Sequence, residues 1–109
     1  MTTKINFNGE IFDELSISVM DHGFLFGDSV YEVVSTLNNQ PCFLDKHLDR
    51  LNNSAQAISL KIPRDRGWFR EQLKSTLVSA GNEESYIRII VTRGIGESIL
   101  ILHLVRTQI

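Results

Sequence analysis

The sequence predicts an α+β domain in which an antiparallel sheet packs against two helices. Two segments, residues 29–37 and 85–93, alternate apolar and polar side chains as strands do. Two others, beginning near residues 45 and 65, repeat apolar side chains at helical spacing. Turn signals separate the four segments. With 109 residues, 42% of them hydrophobic, the chain is long enough for a single core.

The chain begins with a predicted β-hairpin. Residues 4–7 and 10–12 read as short strands, and Asn8-Gly9 between them is a strong signal for a tight turn. The alternation predicts a returning strand over residues 15–19. We expect this segment to be purely structural, since none of its residues indicates a chemical role.

The stretch from residue 21 to 37 predicts a sharp turn followed by a strand. Gly23 and Gly27 allow backbone conformations that a side chain would forbid. On the strand that follows, period-two alternation puts Tyr31 and Ser35 on one face and Glu32 on the other.

The next predicted elements are a hairpin turn and the first helix. Asn38-Asn39 is typical of a turn, with residues 40–43 as the returning strand. Asp45 is the predicted helix N-cap. A buried stripe is predicted to contain Leu48, Leu51, Ala55 and Ile58.

His47 and Arg50 are three residues apart and therefore share one helical face. A guanidinium on a rigid helix suits a phosphate, because its fork meets two oxygens and its charge is permanent. Taken alone, Arg50 is better explained as a surface salt-bridge partner of Asp49 or Asp45. His47 alone is best explained as a hydrogen-bonded structural histidine.

The second helix is predicted to begin at Asp65 and to end at Gly81-Asn82. In the strand over residues 85–93, one face is entirely apolar and the other carries Tyr86 and Arg88. A phenol beside a guanidinium is a reasonable receptor for a carboxylate.

Three motifs in this order resemble the small N-terminal domain of the class IV aminotransferases, which are fold-type IV enzymes dependent on pyridoxal phosphate. They are DHGFLFGDSVYE at 21–32, LDKHLDRL at 44–51 followed by Ser54-Ala55, and YIRIIVTRG at 86–94. The resemblance covers residues 5–97. It implies that residues 1–97 form the class IV N-terminal domain.

The resemblance also implies roles for individual residues. Arg50 would bind the phosphate of pyridoxal 5'-phosphate, and Tyr31, Tyr86 and Arg88 would line the substrate pocket for an amino acid or a 2-oxo acid. For Arg88 the residues themselves leave an alternative, which is an ion pair with a carboxylate of its own sheet, Glu32 or Asp28. The full-length form would be a homodimer.

The catalytic Schiff-base lysine of the resembled family belongs to a larger second domain. Lys4, Lys46, Lys61 and Lys74 match no such role, so we expect no catalytic residue in this chain and no transamination by it alone.

The predicted function is amino-group transfer of the branched-chain type, which Tyr86-Ile87-Arg88 favours. Tyr31-Glu32-Val33 favours the D-amino-acid type instead, and an aminodeoxychorismate lyase fragment is a further alternative. Two other classes stay open: a non-catalytic domain that binds a phosphorylated ligand or a partner, and a two-chain enzyme whose second domain is encoded separately.

Residues 98–109 depart from the resembled pattern. Back-translating them and inserting one base after the Glu97 codon produces a continuation similar to the family, which suggests a shifted reading frame. On that hypothesis the tail has no selected role, and residues 99–105 would be an exposed, β-prone segment that promotes aggregation.

Composition excludes several functional classes. The net charge of −2 provides no basic patch for nucleic acid. The single cysteine, Cys42, cannot form an internal disulfide, and no targeting peptide is evident, so we expect a cytoplasmic protein. No spacing of His, Cys and carboxylates predicts a metal site.

Overall fold

A computed structural model of the chain describes residues 3–96 and 99–106. In this part of the chain, six strands form one sheet and three helices accompany it. The elements are β1 (Lys4–Phe7), β2 (Glu10–Phe12), α1 (His22–Phe26), β3 (Ser29–Leu37), β4 (Gln40–Pro41), α2 (Leu44–Ala57), α3 (Arg66–Ala80), β5 (Ser85–Thr92) and β6 (Ile99–Arg106).

The sheet is antiparallel throughout, with strand order β2-β1-β6-β5-β3-β4. Its longest pairings join β5 to β3 and to β6. Tyr31 lies opposite Ile90, Val33 opposite Arg88, and Arg88 in turn opposite His103. The predicted α+β class is confirmed.

The core lies between the sheet and helices α2 and α3. Alternate residues of β3 and β5 point into it, as predicted, and Val34, Ile87 and Ile89 have no exposed surface. From the helices, Leu48, Leu51 and Phe69 meet them. Helices α2 and α3 leave the opposite face of the sheet open, although α1 lies against Thr92 at one end of β5, so this open face is available for a site.

Helix α2 begins differently from the prediction. Phe43 occupies the N-cap position in the left-handed region, at φ 56°, and no side chain caps the helix. The prediction that Asp45 is the N-cap is wrong, since Asp45 already lies in the first turn. The prediction that Ile58 is buried is also wrong: the helix ends at Ala57, and Ile58 is 40% exposed.

Helix α3 has the predicted ends. The Asp65 side chain accepts a hydrogen bond from the backbone N–H of Trp68 at 2.9 Å, and Gly81 ends the helix with φ 65°. Each cap satisfies backbone groups that a helix terminus leaves free. Neither α3, at 15 residues, nor any other described helix combines the length and apolarity that crossing a membrane requires.

Two predictions about the first thirty residues need correction. The hairpin at Asn8-Gly9 is confirmed, but residues 13–19 form no strand. The predicted turn between Gly23 and Gly27 is a short helix, α1. Asp21 caps this helix by accepting from the N–H of Phe24, and Gly27 closes it with φ 65°.

Residues 99–103 form a strand, as their β-prone sequence predicts, but the prediction that they are exposed is wrong. Strand β6 lies inside the sheet between β5 and β1, where Leu100 is 2% exposed and Leu102 is fully buried. Leu100 and Leu102 join the core cluster on the helix side of the sheet, whereas Ile99, Ile101 and His103 lie on its other side. The expected domain boundary between Glu97 and Ser98 falls outside the described residues.

Candidate functional site

The helix side of β3 carries a buried carboxylate. Glu32 is 7% exposed, and its Oε1 lies 2.7 Å from Nδ1 of His47. Its Oε2 lies 3.6 Å from Nε of Arg50. His47 and Arg50 therefore share a face of α2, as the spacing predicts, and both meet the same acid.

Arg50 itself is largely free. Its side chain is 71% exposed, and among the described residues its two terminal guanidinium nitrogens make no hydrogen bond. The alternative partners considered for it, Asp45 and Asp49, bind other arginines: Asp49 pairs with Arg66, and Asp45 with Arg66 and Arg70.

Tyr31 and Arg88 lie together on the open face of the sheet. With Ser29 and Ile90 they line a hollow of about 380 Å³. Tyr31 is 63% exposed. Because Tyr31 is opposite Ile90 and Val33 is opposite Arg88, the phenol and the guanidinium are diagonal cross-strand neighbours.

Neither expected carboxylate pairs with Arg88 in the described part of the chain. Glu32 is paired with His47 and Arg50, while Asp28 is paired with Arg93. Contact with Arg93 lowers the pKa of Asp28, chiefly through their hydrogen bond. The open face therefore presents the Arg88 charge without a counterion from residues 3–96 or 99–106.

Tyr86 occupies the same face one step further along β5, opposite Ser35, and is 40% exposed. It does not line the hollow that holds Tyr31 and Arg88. The structure thus brings two of the three predicted pocket residues into one hollow and places the third at its margin.

Arg50 and the open face lie on opposite sides of β3, because Glu32 points toward α2 whereas its neighbour Tyr31 points away. β4 pairs only with Thr36 and Leu37. Among the described strands, none covers the outer edge of β3 from Ser29 to Val34. This free edge separates the phosphate-binding candidate from the pocket candidates.

The turn that leads into β3 is held in place by a buried hydrogen bond between Asp21 and Thr92. Asp21 is 1% exposed, and its Oδ2 accepts a hydrogen bond from Oγ1 of Thr92 at 2.7 Å. A Cβ on Gly23 would lie 2.8 Å from Oδ1 of Asp21 and 3.1 Å from Cβ of Thr92. The φ of Gly23 is not in the left-handed region. The reason for a glycine here is therefore the close approach of Asp21 and Thr92 and not the backbone conformation.

Two functional candidates were not found from the sequence. The first is Glu32, whose role depends on α2 packing against β3. The second is His103 on β6, directly opposite Arg88. Burial lowers the pKa of His103, and the nearby charge of Arg88 lowers it further. Residues 99–103 read Ile-Leu-Ile-Leu-His, so the sequence has no alternation of apolar and polar residues that assigns His103 to this face.

Comparison with known proteins covers most of the elements that carry these residues. The family model for amino-transferase class IV matches residues 29–106, which include β3, α2, α3, β5 and β6. That range is more than half of the chain. The chain belongs to the class IV aminotransferase family. Enzymes of this family depend on pyridoxal phosphate, and the resemblance identified from the three motifs is confirmed.

Two named relatives show how far the similarity extends. A putative branched-chain-amino-acid aminotransferase of Methanocaldococcus jannaschii is 36% identical over 96 residues, covering 86% of this chain and 33% of the relative. A D-alanine aminotransferase of Bacillus licheniformis is 32% identical over 93 residues, covering 84% and 33%. This class IV chain thus spans about a third of the length of such relatives.

Solved structures share its fold. The branched-chain amino acid aminotransferase from Escherichia coli superposes with a TM-score of 0.87 at 19% identity, covering 98% of this chain and 42% of the other. A hypothetical aminotransferase from Mycobacterium tuberculosis, in its PLP-bound form, gives 0.84 at 22% identity, covering 97% and 40%. The antiparallel sheet with its two packed helices is therefore the fold of this part of a class IV aminotransferase.

Proposed function

We propose that this chain supplies the phosphate-binding arginine and part of the substrate wall of an aminotransferase that moves an amino group between an amino acid and a 2-oxo acid. One observation carries the proposal. Arg50 is exposed, its Nε lies 3.6 Å from the buried Glu32, and its terminal nitrogens form no hydrogen bond in the described structure.

The geometry at Arg50 fits a phosphate. A guanidinium binds a phosphate best when two adjacent N–H groups are free to form parallel bonds. Glu32 lies 3.6 Å from Nε, and no hydrogen bond from the described residues occupies the outer pair of nitrogens. Pyridoxal phosphate, when bound, supplies the carbonyl that accepts the amino group and the ring that stabilises negative charge.

The proposed substrate wall is formed by Tyr31, Arg88 and Tyr86 on the open face. Arg88 has no carboxylate partner in the described residues, and the exposed Tyr31 beside it can donate a hydrogen bond. Together they suit a substrate carboxylate. The aliphatic Ile90 in the same hollow provides contact for an apolar side chain.

The finer assignment is a branched-chain substrate. It is supported by the Tyr86-Ile87-Arg88 sequence and by the relative named as a putative branched-chain-amino-acid aminotransferase, at 36% identity. A D-amino-acid substrate is the second candidate, because Tyr31-Glu32-Val33 favours it and several relatives are named D-alanine aminotransferases. The lyase is retained as an alternative.

We further propose that these 109 residues do not transaminate alone. Lys4 is paired with Asp13, and Lys46 stacks over the ring of Phe43. Lys74 lies on α3, and Lys61 lies between α2 and α3. No lysine of the chain occupies the open sheet face. In the complete enzyme the catalytic lysine would come from a further domain, and the enzyme would be a homodimer.

Phosphorus NMR of pyridoxamine 5'-phosphate tests the role of Arg50 directly, since this ligand has no aldehyde to react with surface lysines. Arg50→Gln should weaken binding about tenfold, as expected for loss of a charge-assisted pair. Arg64→Gln is the matched control: Arg64 lies over the ring of Trp68, at 5.4 Å, and away from Glu32.

Pyridoxamine without the phosphate is the matched ligand control, and Arg50→Gln should leave its binding unchanged. Equal losses with both ligands, or equal losses in both variants, would contradict the phosphate role. Phosphate-dependent binding without amino transfer, even when a class IV second domain is supplied in trans, would favour a non-catalytic binding domain instead. Restored transfer would support a two-chain enzyme.

The shifted reading frame after Glu97 stays a prediction. Sequencing the coding DNA through that codon and beyond tests it: a frame reopened by one added base supports the shift, and a frame that stays closed refutes it.

A further inference from the structure

His103 lies beside Arg88 on the open face of the sheet, and the proposed function does not use it. The two residues are direct cross-strand partners on β6 and β5. Side chains directly opposite each other in an antiparallel pair have Cβ atoms about 5 Å apart. Arg88 is exposed and His103 is half-buried. An anion that meets the guanidinium would therefore lie within the electrostatic reach of the imidazole.

The surroundings of His103 on this face are largely apolar. Its partner on β1 is Ile5. Ile101 precedes it by two positions on β6, and Ile90, opposite Ile101, is a diagonal neighbour on β5. Charges interact more strongly beside apolar groups than in open water, because the local dielectric constant is lower. The charges at His103 and Arg88 are therefore coupled.

Arg88 supplies the charge that faces His103. The other titratable neighbour on β5 is Tyr86, which lies diagonally from His103 and carries a phenol that can donate a hydrogen bond. On β1, Lys4 points to the other side of the sheet and is paired with Asp13. Burial lowers the pKa of His103, and the Arg88 charge lowers it further. Within the described ranges, no carboxylate forms an ion pair with His103 to oppose these two effects.

A carboxylate bound to Arg88 would reverse the second of these effects. Its negative charge offsets the guanidinium and favours the protonated imidazole, so the pKa of His103 would rise. Coupling between two binding events is reciprocal. A proton on His103 therefore strengthens carboxylate binding by the same factor by which the carboxylate strengthens proton binding.

We propose that His103 is a second residue of the carboxylate receptor on the open face and takes up a proton from solvent when a carboxylate binds at Arg88. The imidazolium and the guanidinium then face one bound negative charge together. The inference rests on the proposed substrate wall, because it requires the carboxylate to bind at Arg88. It involves neither Arg50 nor the transfer reaction.

An NMR titration of the histidine ring protons of the 109-residue chain, with and without 4-methyl-2-oxopentanoate, tests the proposal. This 2-oxo acid stays a monoanion between about pH 5 and 8, because such carboxyl groups titrate near about pH 3.5. We expect the bound ligand to raise the pKa of His103. The dissociation constant should fall about threefold as the pH drops through that pKa. The factor is small because the Arg88 charge is exposed to solvent.

A matched ligand and two variants identify the groups responsible. In 4-methylpentan-2-one a methyl group replaces the carboxylate, so this ketone should leave the pKa of His103 unchanged. His103→Gln should bind the 2-oxo acid with an affinity that no longer rises at low pH. His22→Gln should retain the rise, because the backbone N–H of His22 is bonded to Gly94, six positions along the chain from Arg88.

The possible failures can be told apart. Saturable amide shifts at Tyr31 and Ile90 with an unchanged His103 pKa would refute this inference and leave the substrate wall standing. An absence of saturable shifts there would refute the wall, and this inference with it. An equal pH dependence in His103→Gln and the unaltered chain would assign the proton to another group. If His103→Gln does not fold, the titration of the unaltered chain decides alone.

Discussion

Nδ1 of His47 lies 2.7 Å from Oε1 of Glu32, and this contact joins helix α2 to strand β3. Glu32 is 7% exposed and His47 is half-buried. The second oxygen of Glu32 faces Arg50 at a longer 3.6 Å. His47, predicted from the sequence as a hydrogen-bonded structural histidine, thus contacts the same carboxylate as Arg50, the proposed phosphate-binding residue.

The two contacts of Glu32 should differ in energy. A buried hydrogen bond to a charged group contributes about 1.5–3 kcal/mol, whereas a pair with a mostly exposed arginine contributes under about 1 kcal/mol. Double-mutant cycles on chemical denaturation, with Glu32→Ala combined with His47→Ala or with Arg50→Ala, measure each coupling. We expect the His47 coupling to be the larger. A larger Arg50 coupling would show that Arg50 is anchored, not free.

The stability of the chain should fall as the pH drops below 6.5 because of His103. Burial and the Arg88 charge lower the pKa of His103 from 6.5. The unfolded chain then binds a proton near pH 6 that the folded chain binds only at lower pH, so protonation favours unfolding. NMR titration of His103 and denaturation between about pH 5 and 8 check this.

Two variants identify the cause of that pH dependence. Arg88→Gln should raise the His103 pKa only part of the way, because burial is the larger cause. His103→Gln should remove the part of the stability loss below pH 6.5 that protonation of His103 causes. A His103 pKa at or above 6.5 in the unaltered chain would contradict the interpretation.

Gly23 should not tolerate even a methyl group. A Cβ there would lie 2.8 Å from the buried Asp21 carboxylate, so Gly23→Ala must displace the cap of α1 or its contact with Thr92. We expect a cost of about 1–3 kcal/mol, measured by thermal denaturation. Gly96→Ala is the control, since a Cβ there has no atom within 4 Å. Equal melting temperatures for the two variants would contradict the predicted clash.

The sequence predicted what depends on local geometry. Alternation along β3 and β5 is a property of any strand, so the faces of Tyr31 and Arg88 followed directly. The caps of α3 followed from Asp65 and Gly81 for the same reason.

Two of the features that the sequence did not predict depend on contacts distant in sequence. The Glu32 carboxylate acquires its partners only when α2 packs on β3. β6 is covered because it pairs with β5 and with β1, which is more than ninety residues away, and because α3 packs on its inner face. The resemblance stopped near Glu97, so the apolar segment over residues 99–103 was interpreted as part of an exposed tail. Its two faces in fact match those of the sheet.

The position of β6 leads to the last prediction, that Leu102→Ala destabilises the chain as a core substitution does. Leu102 has no exposed surface and lies opposite Ile89 of β5 and Asn6 of β1. Removing a buried leucine side chain costs about 2–5 kcal/mol through lost transfer energy and the cavity left behind. Leu37→Ala makes the same change at a residue that is 65% exposed and should cost under about 0.5 kcal/mol. Urea denaturation measures the free energy of unfolding of both variants. If β6 were a dispensable tail, both substitutions would lower this free energy by similar small amounts. If β6 is a central strand, Leu102→Ala lowers it by several kcal/mol more than Leu37→Ala.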